Sequence, residues 1–259
     1  MTRLTRSERK GLNKPQLLIW GLVFALIGIL SRSILQNGIL HANTLTGEEL
    51  LAVISSSDIM MAVATAAIVM QVIEVCAIPV FAFLLVDGFE KAKDMKKLAL
   101  CLLAVALISE IPYNLAMYGT LLYTATRNPA MTLVIGLAAM YFFDRFRENS
   151  FANVLIKLFV GLCAVLWVVL LNVEHGLPVL LVILAMWALR NKKSMRILFG
   201  GAAAALCAVF SPMYMASALG ILPVYFYREE EENPVQIPLM LYAVYPAILL
   251  VAGIISVLL

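Results

Sequence analysis

Four ionisable side chains lie inside apolar runs of this sequence: Arg32 near the far end of the first run, Glu74 midway along the second, Asp87 closing it, and Glu110 deep in the third. A charge at membrane depth costs a few kcal/mol and persists where it has a partner or a task. Glu110 stands about 13 residues into its run, roughly 20 Å along a helix. That matches the depth of Arg32 and puts the two within reach of an ion pair. Asn114 is one helical turn beyond Glu110 and shares its face. Arg127, Asn128, Glu174 and His175 approach from the same end of neighbouring runs. Together these groups suit either a polar pocket or a hydrogen-bonded network that glues helices. Asp87-Gly88 also suits a helix-ending turn. His41 lies in a loop without a carboxylate at metal spacing and reads as a surface residue.

The elements that must position them are membrane helices. Of 259 residues, 63% are hydrophobic and 14% charged, with mean hydropathy +0.96. A soluble domain has about 45–50% apolar and about 25% charged residues. A helix needs roughly 20 apolar residues to cross a hydrocarbon core of about 30 Å, and no run shows the alternation of a barrel strand. The expected fold is all-α: a polytopic transmembrane bundle of about nine spans. These cover residues 15–35, 59–86, 98–117, 129–143, 151–171, 176–189, 195–210, 214–227 and 237–259. Residues 1–14 form a basic cytoplasmic segment, and 15–259 a single transmembrane domain. Pro79 is expected to kink the second span and Pro112 the third. The short spans near 129–143, 176–189 and 214–227 are the ones that need not cross fully. Thr46 and Glu49 have the spacing of a capping box, predicting a short surface helix between the first two spans.

Charge orients the bundle. With the N-terminus cytoplasmic, 17 of the 19 Lys and Arg residues fall on cytoplasmic segments, as the positive-inside rule requires. The basic start is therefore read as preceding a span rather than as a secretory signal. The net charge of +3 is spread over short loops, so no nucleic-acid partner is expected. The partner is the lipid bilayer. Cys76, Cys101, Cys163 and Cys207 lie in apolar runs at unrelated spacings, with no disulfide or metal pattern. No phosphate loop, GxSxG elbow or HExxH motif is present.

Three stretches carry a resemblance. Ala77 to Phe89 reads AIPVFAFLLVDGF; Ser109-Glu110-Ile111-Pro112-Tyr113-Asn114 follows a basic segment; Arg127-Asn128-Pro129 opens the next run. Weaker echoes are Glu174-His175-Gly176, Tyr225-Phe226-Tyr227 and Tyr245-Pro246. In order and spacing these resemble the TraX family of bacterial membrane proteins, which is related to membrane acyltransferases and named for a conjugation protein implicated in pilin N-terminal acetylation. The resemblance implies a multi-pass protein of the bacterial cytoplasmic (inner) membrane. The implied activity is O- or N-acetyl or acyl transfer, with acetyl-CoA as donor, no metal, and a pilin-like or cell-envelope acceptor at the outer face. Ser31-Arg32 stands where the family often has Asp-His, Val75 replaces an Arg, and Ala247-Ile248 replaces a His. A general base near neutral pH is most naturally a histidine, so the expected catalytic groups here are Glu110 and His175. Arg32, Glu74, Asn114, Arg127 and Asn128 are the expected pocket residues, and Pro79, Asp87, Gly88, Pro112, Tyr245 and Pro246 the motif framework. Two alternatives stay open: a non-catalytic TraX-like binding or assembly factor, and a small transporter or permease subunit.

Overall fold

The computed structural model describes residues 11–148, 150–228 and 239–259, the side chains of 239–242 excepted. Helices α1 (Lys14–Leu30), α2 (Gly47–Ser55), α3 (Asp58–Glu74), α4 (Ala77–Lys91), α5 (Met95–Ile108) and α6 (Glu110–Tyr118) make up the first half. Helices α7 (Ala130–Arg145), α8 (Phe151–Leu170), α9 (Gly176–Ala188), α10 (Lys193–Leu206), α11 (Ile221–Tyr225) and α12 (Leu239–Leu258) make up the second. The described residues hold no strand, only two isolated bridges, Leu12 with Tyr227 and Arg127 with Val173. The regular structure of the described residues is all helical. Among those residues, four helical runs are long and apolar enough to cross a membrane: Lys14–Ile39, Asp58–Lys91, Met95–Tyr118 and Phe151–Leu170. Gly176–Ala188 and Ala243–Leu258 are apolar but shorter.

From Ala77 to Val86, α4 is apolar on all sides, which is the pattern of a helix enclosed by others. It packs against α1, α9, α10, α7 and a 3-10 segment. Its Phe83 is fully buried, with Tyr227 edge-on at 5.1 Å and the Arg196 guanidinium over the ring at 4.5 Å. α8 fully buries only Ala164 and Val168, packs Val160 and Val165 partly against the bundle, and exposes Leu155, Leu158, Phe159, Leu162, Leu166, Trp167 and Leu170, as expected of a lipid-facing helix. α12 packs against α6, the Ser31–Ile39 segment, α5 and α1.

Both prolines break their runs, but upstream of themselves. The second run breaks at Val75–Cys76 rather than at Pro79, and the third at Ser109 rather than at Pro112. The reason is the proline ring, which clashes with the carbonyl four residues earlier: Val75 for Pro79, Ile108 for Pro112. Each proline then occupies the first turn of a new helix, where no intrahelical N–H bond is lost. Pro246, by contrast, lies inside continuous α12.

Two further stretches depart from α-geometry. Ser31–Ile39 is π-helical. Pro212–Gly220 is a 3-10 helix, and with the five-residue α11 it replaces the expected span 214–227. Gly220 lets it lie directly on the α3–α4 break, since a Cβ there would sit 2.0 Å from the Cys76 carbonyl oxygen. Non-α backbone at membrane depth is tolerated where protein encloses it. The surface helix forms as predicted: Thr46 Oγ1 accepts from Glu49 N and Thr46 N donates to Glu49 Oε2 at 2.8 Å.

A candidate functional site at the helix breaks

The irregular backbone converges on one place. Glu74 is the last residue of α3, immediately before its break. Arg32 is on the π-helical segment. Tyr214 is on the 3-10 helix, and His175, in the left-handed region at φ 54°, opens α9. A carboxylate at a helix C-terminus opposes the macrodipole, so the placement of Glu74 is not explained by helix stability.

Glu174 receives the Arg32 guanidinium on one oxygen and the Tyr113 hydroxyl donates to the other. His175 Nδ1 lies 2.7 Å from the Tyr214 hydroxyl. Its Nε2 is buried without a hydrogen-bond partner, and Glu74 Oε1 is 3.9 Å away. The Glu74 carboxyl fits against the bare backbone of Gly28 on α1, where a Cβ would come within 2.0 Å of Cδ. Glu74, Glu174, His175, Tyr113 and Tyr245 form one end of a cavity of about 190 Å³. Every other lining side chain is apolar, including Leu18, Leu22 and Ala25 of α1, Leu84 and Leu85 of α4, and Leu98 and Leu102 of α5.

A second cluster sits behind the first. Glu110 pairs with Arg127 at 3.1 Å and accepts from Asn128 N at 3.3 Å. Asn128 Oδ1 accepts from Ala130 N at 2.9 Å and from the Tyr245 hydroxyl at 3.1 Å. The Arg127 backbone in turn bonds to Asn172 O and Glu174 N. Glu110 therefore holds the strand-like contact that fixes the 171–175 loop, and with it Glu174 and His175.

Of the residues singled out in the sequence, Arg32, Glu74 and His175 are brought together. Glu110, Arg127 and Asn128 adjoin them but lie outside the cavity wall. Arg32 takes Glu174 as its partner and Glu110 takes Arg127, so the Arg32–Glu110 pair read from depth does not form. Asn114 is buried on α6 with its Oδ1 unpartnered. Asp87 is fully buried between Lys14 (3.1 Å) and Lys91 (2.6 Å), so it clamps the opposite end of the bundle. Sequence reasoning missed Tyr214 and Gly28 and gave Tyr113 no role. Tyrosine and glycine in apolar runs look like packing residues, and only Tyr113, beside Glu110 in a quoted motif, carried a signal. No group of His, Cys, Asp and Glu among the described residues could hold a metal ion.

The family model described as TraX protein matches residues 50–256. The chain belongs to the TraX family. No curated protein and no solved structure gives a significant match. The matched residues include Glu74, Tyr113, Glu174, His175 and Tyr214, and Gly28 and Arg32 precede the match.

Proposed function

We propose that this TraX protein is a multi-pass membrane acyltransferase of the bacterial cytoplasmic membrane, with its N-terminus inside. It acylates an amine or hydroxyl of a pilin-like or other envelope acceptor at the outer face. The observation that carries this reading is His175 Nε2, buried, unpartnered, and facing Glu74 at the polar end of an apolar cavity.

Tyr214 fixes the imidazole through Nδ1 and leaves Nε2 as the base. The 3.9 Å gap to Glu74 suits an acceptor N–H or O–H held between the two groups. His175 takes that proton as the acceptor attacks the acyl carbonyl, then returns it to the leaving group. Arg32 and Tyr113 anchor Glu174, next in sequence to the base. Glu110 is a positioning residue in this scheme, acting through Arg127 and the 171–175 loop.

Acetyl-CoA, the donor implied by the resemblance, fits these residues poorly. Glu74 is thirteen residues along the chain from Asp87, about 20 Å of helix. A pantetheine arm crossing from that end meets no polar side chain for its amides. Of the basic residues there, Lys14 and Lys91 pair with Asp87, Arg196 with Glu90 and Arg190 with Asp144, while Lys93, Lys96 and Lys97 stay exposed around the α4–α5 turn, outside the cavity lining. No step is routed through acetyl-CoA.

The test is acyl transfer to hydroxylamine, a small nucleophile, by the full chain in vesicles supplied with labelled phospholipid or labelled acetyl-CoA. His175→Gln should lower hydroxamate formation by about 100-fold or more, the usual contribution of a general base. A variant as active as wild type removes His175 from the chemistry.

A further inference from the structure

The apolar limb of the cavity has a length, a width and a direction. Along α1 it runs from Ile29, beside the polar end, to Leu18, eleven residues or about 16 Å. One leaflet contributes half of a hydrocarbon core of about 30 Å, so the limb is about as long as one leaflet is thick. The whole cavity, polar end included, has a volume of about 190 Å³, room for part of a single chain and not for two. Its walls are α1 and α5, with α4 as the floor, and its lining side chains are Leu, Ala, Val, Ile, Phe, Met and Pro up to the polar end. Polar amides would be desolvated there without compensation, whereas methylenes gain roughly 0.8 kcal/mol each on burial. His175 and Glu74 stand where the chain's first carbon would emerge.

We infer that the limb holds one acyl chain of a bilayer phospholipid with its ester carbon at His175, making a membrane lipid the acyl donor. This rests on the acyl-transfer reading and names its donor. The ester C–O bond breaks and a C–N or C–O bond to the acceptor forms. The acceptor's proton passes through His175 to the departing glycerol oxygen, leaving an acylated acceptor and a lysophospholipid.

The experiment reconstitutes the full chain in phosphatidylethanolamine–phosphatidylglycerol vesicles doped with phosphatidylethanolamine bearing a photoreactive acyl chain. Crosslinks on Leu22, Ala25 and Leu102 should exceed those on outward-facing Leu162 and Leu166 of α8 several-fold. Ala25→Trp and Leu102→Trp, each checked for an unchanged melting temperature, should abolish the groove crosslinks and leave those on α8. The same variants should lose at least 10-fold of the transfer from labelled phospholipid to hydroxylamine, with lysophospholipid forming in step in the wild type. Equal labelling of groove and α8, or full transfer in both filled variants, overturns the proposal. Transfer from acetyl-CoA alone overturns the lipid donor while acyl transfer stands. His175→Gln that keeps groove crosslinks but loses transfer supports both, and transfer from neither donor overturns both.

Discussion

Gly28 shows how a residue without a side chain shapes the centre. Its bare backbone leaves the space that the Glu74 carboxyl fills. Gly28→Ala should displace Glu74 from His175 and lower transfer about 10-fold or more, with little change in detergent melting temperature, because α1 gains helix propensity from alanine. Glu174 is tied to Arg32 and Tyr113, and only about a quarter of the Arg32 side chain is exposed. Glu174→Ala should cost about 3 kcal/mol of stability by stranding the guanidinium, measured by thermal unfolding in detergent. On the proposed mechanism, Glu110→Gln should lower transfer by less than His175→Gln, because it weakens a support and leaves the imidazole in place. None of these dependencies was legible beforehand. Burial depth flags a charge along one helix but cannot say which of two acids an arginine meets across the bundle.

At the scale of the element, the breaks matter more than the helices. Pro79 and Pro112 announced two interruptions in the sequence, and the four-residue offset of the clash moved them to Val75 and Ser109. Glu74 thereby ends a helix beside the opening and Glu110 begins one. The π-helical turn that carries Arg32 had no specific sequence signal, since Asn37-Gly38 marks only where the first span ends; packing against α3, α6 and α12 accompanies it. The α2 cap, by contrast, was fully local. The Thr46 backbone N–H and hydroxyl bond to Glu49 and hold its carboxyl below its ordinary value. For a carboxyl with a depressed folded pKa, the contribution is present above the unfolded pKa and lost as pH falls through the folded one. The protection factors of amides 47–50, with the intrinsic pH dependence of exchange divided out, should therefore hold at neutral pH and fall below the ordinary carboxylate range. Thr46→Ala should lower them at neutral pH as well.

Across the whole molecule, two clamps hold the bundle's ends. At one, Asp87 joins Lys14 of α1 to Lys91 of its own helix. At the other, Glu110, Arg127 and the Arg127–Val173 bridge tie α6, α7 and the loop before α9. An inside N-terminus predicts that a cysteine at Lys93 is labelled from the cytoplasm and one at Thr120 from outside; the reverse would invert the topology. Composition and the lack of strand alternation together determined that the chain is helical and membrane-like, because lipid admits only helices and closed barrels. Local spacing determined the α2 cap, the proline breaks to within a turn, and the presence of charges at depth. Only the tertiary structure decided that Arg32 meets Glu174, that Tyr214 orients His175, and that Gly28 admits Glu74. Those contacts join residues 39 to 142 positions apart, and a sequence read one helix at a time holds no term for the distance between two helices.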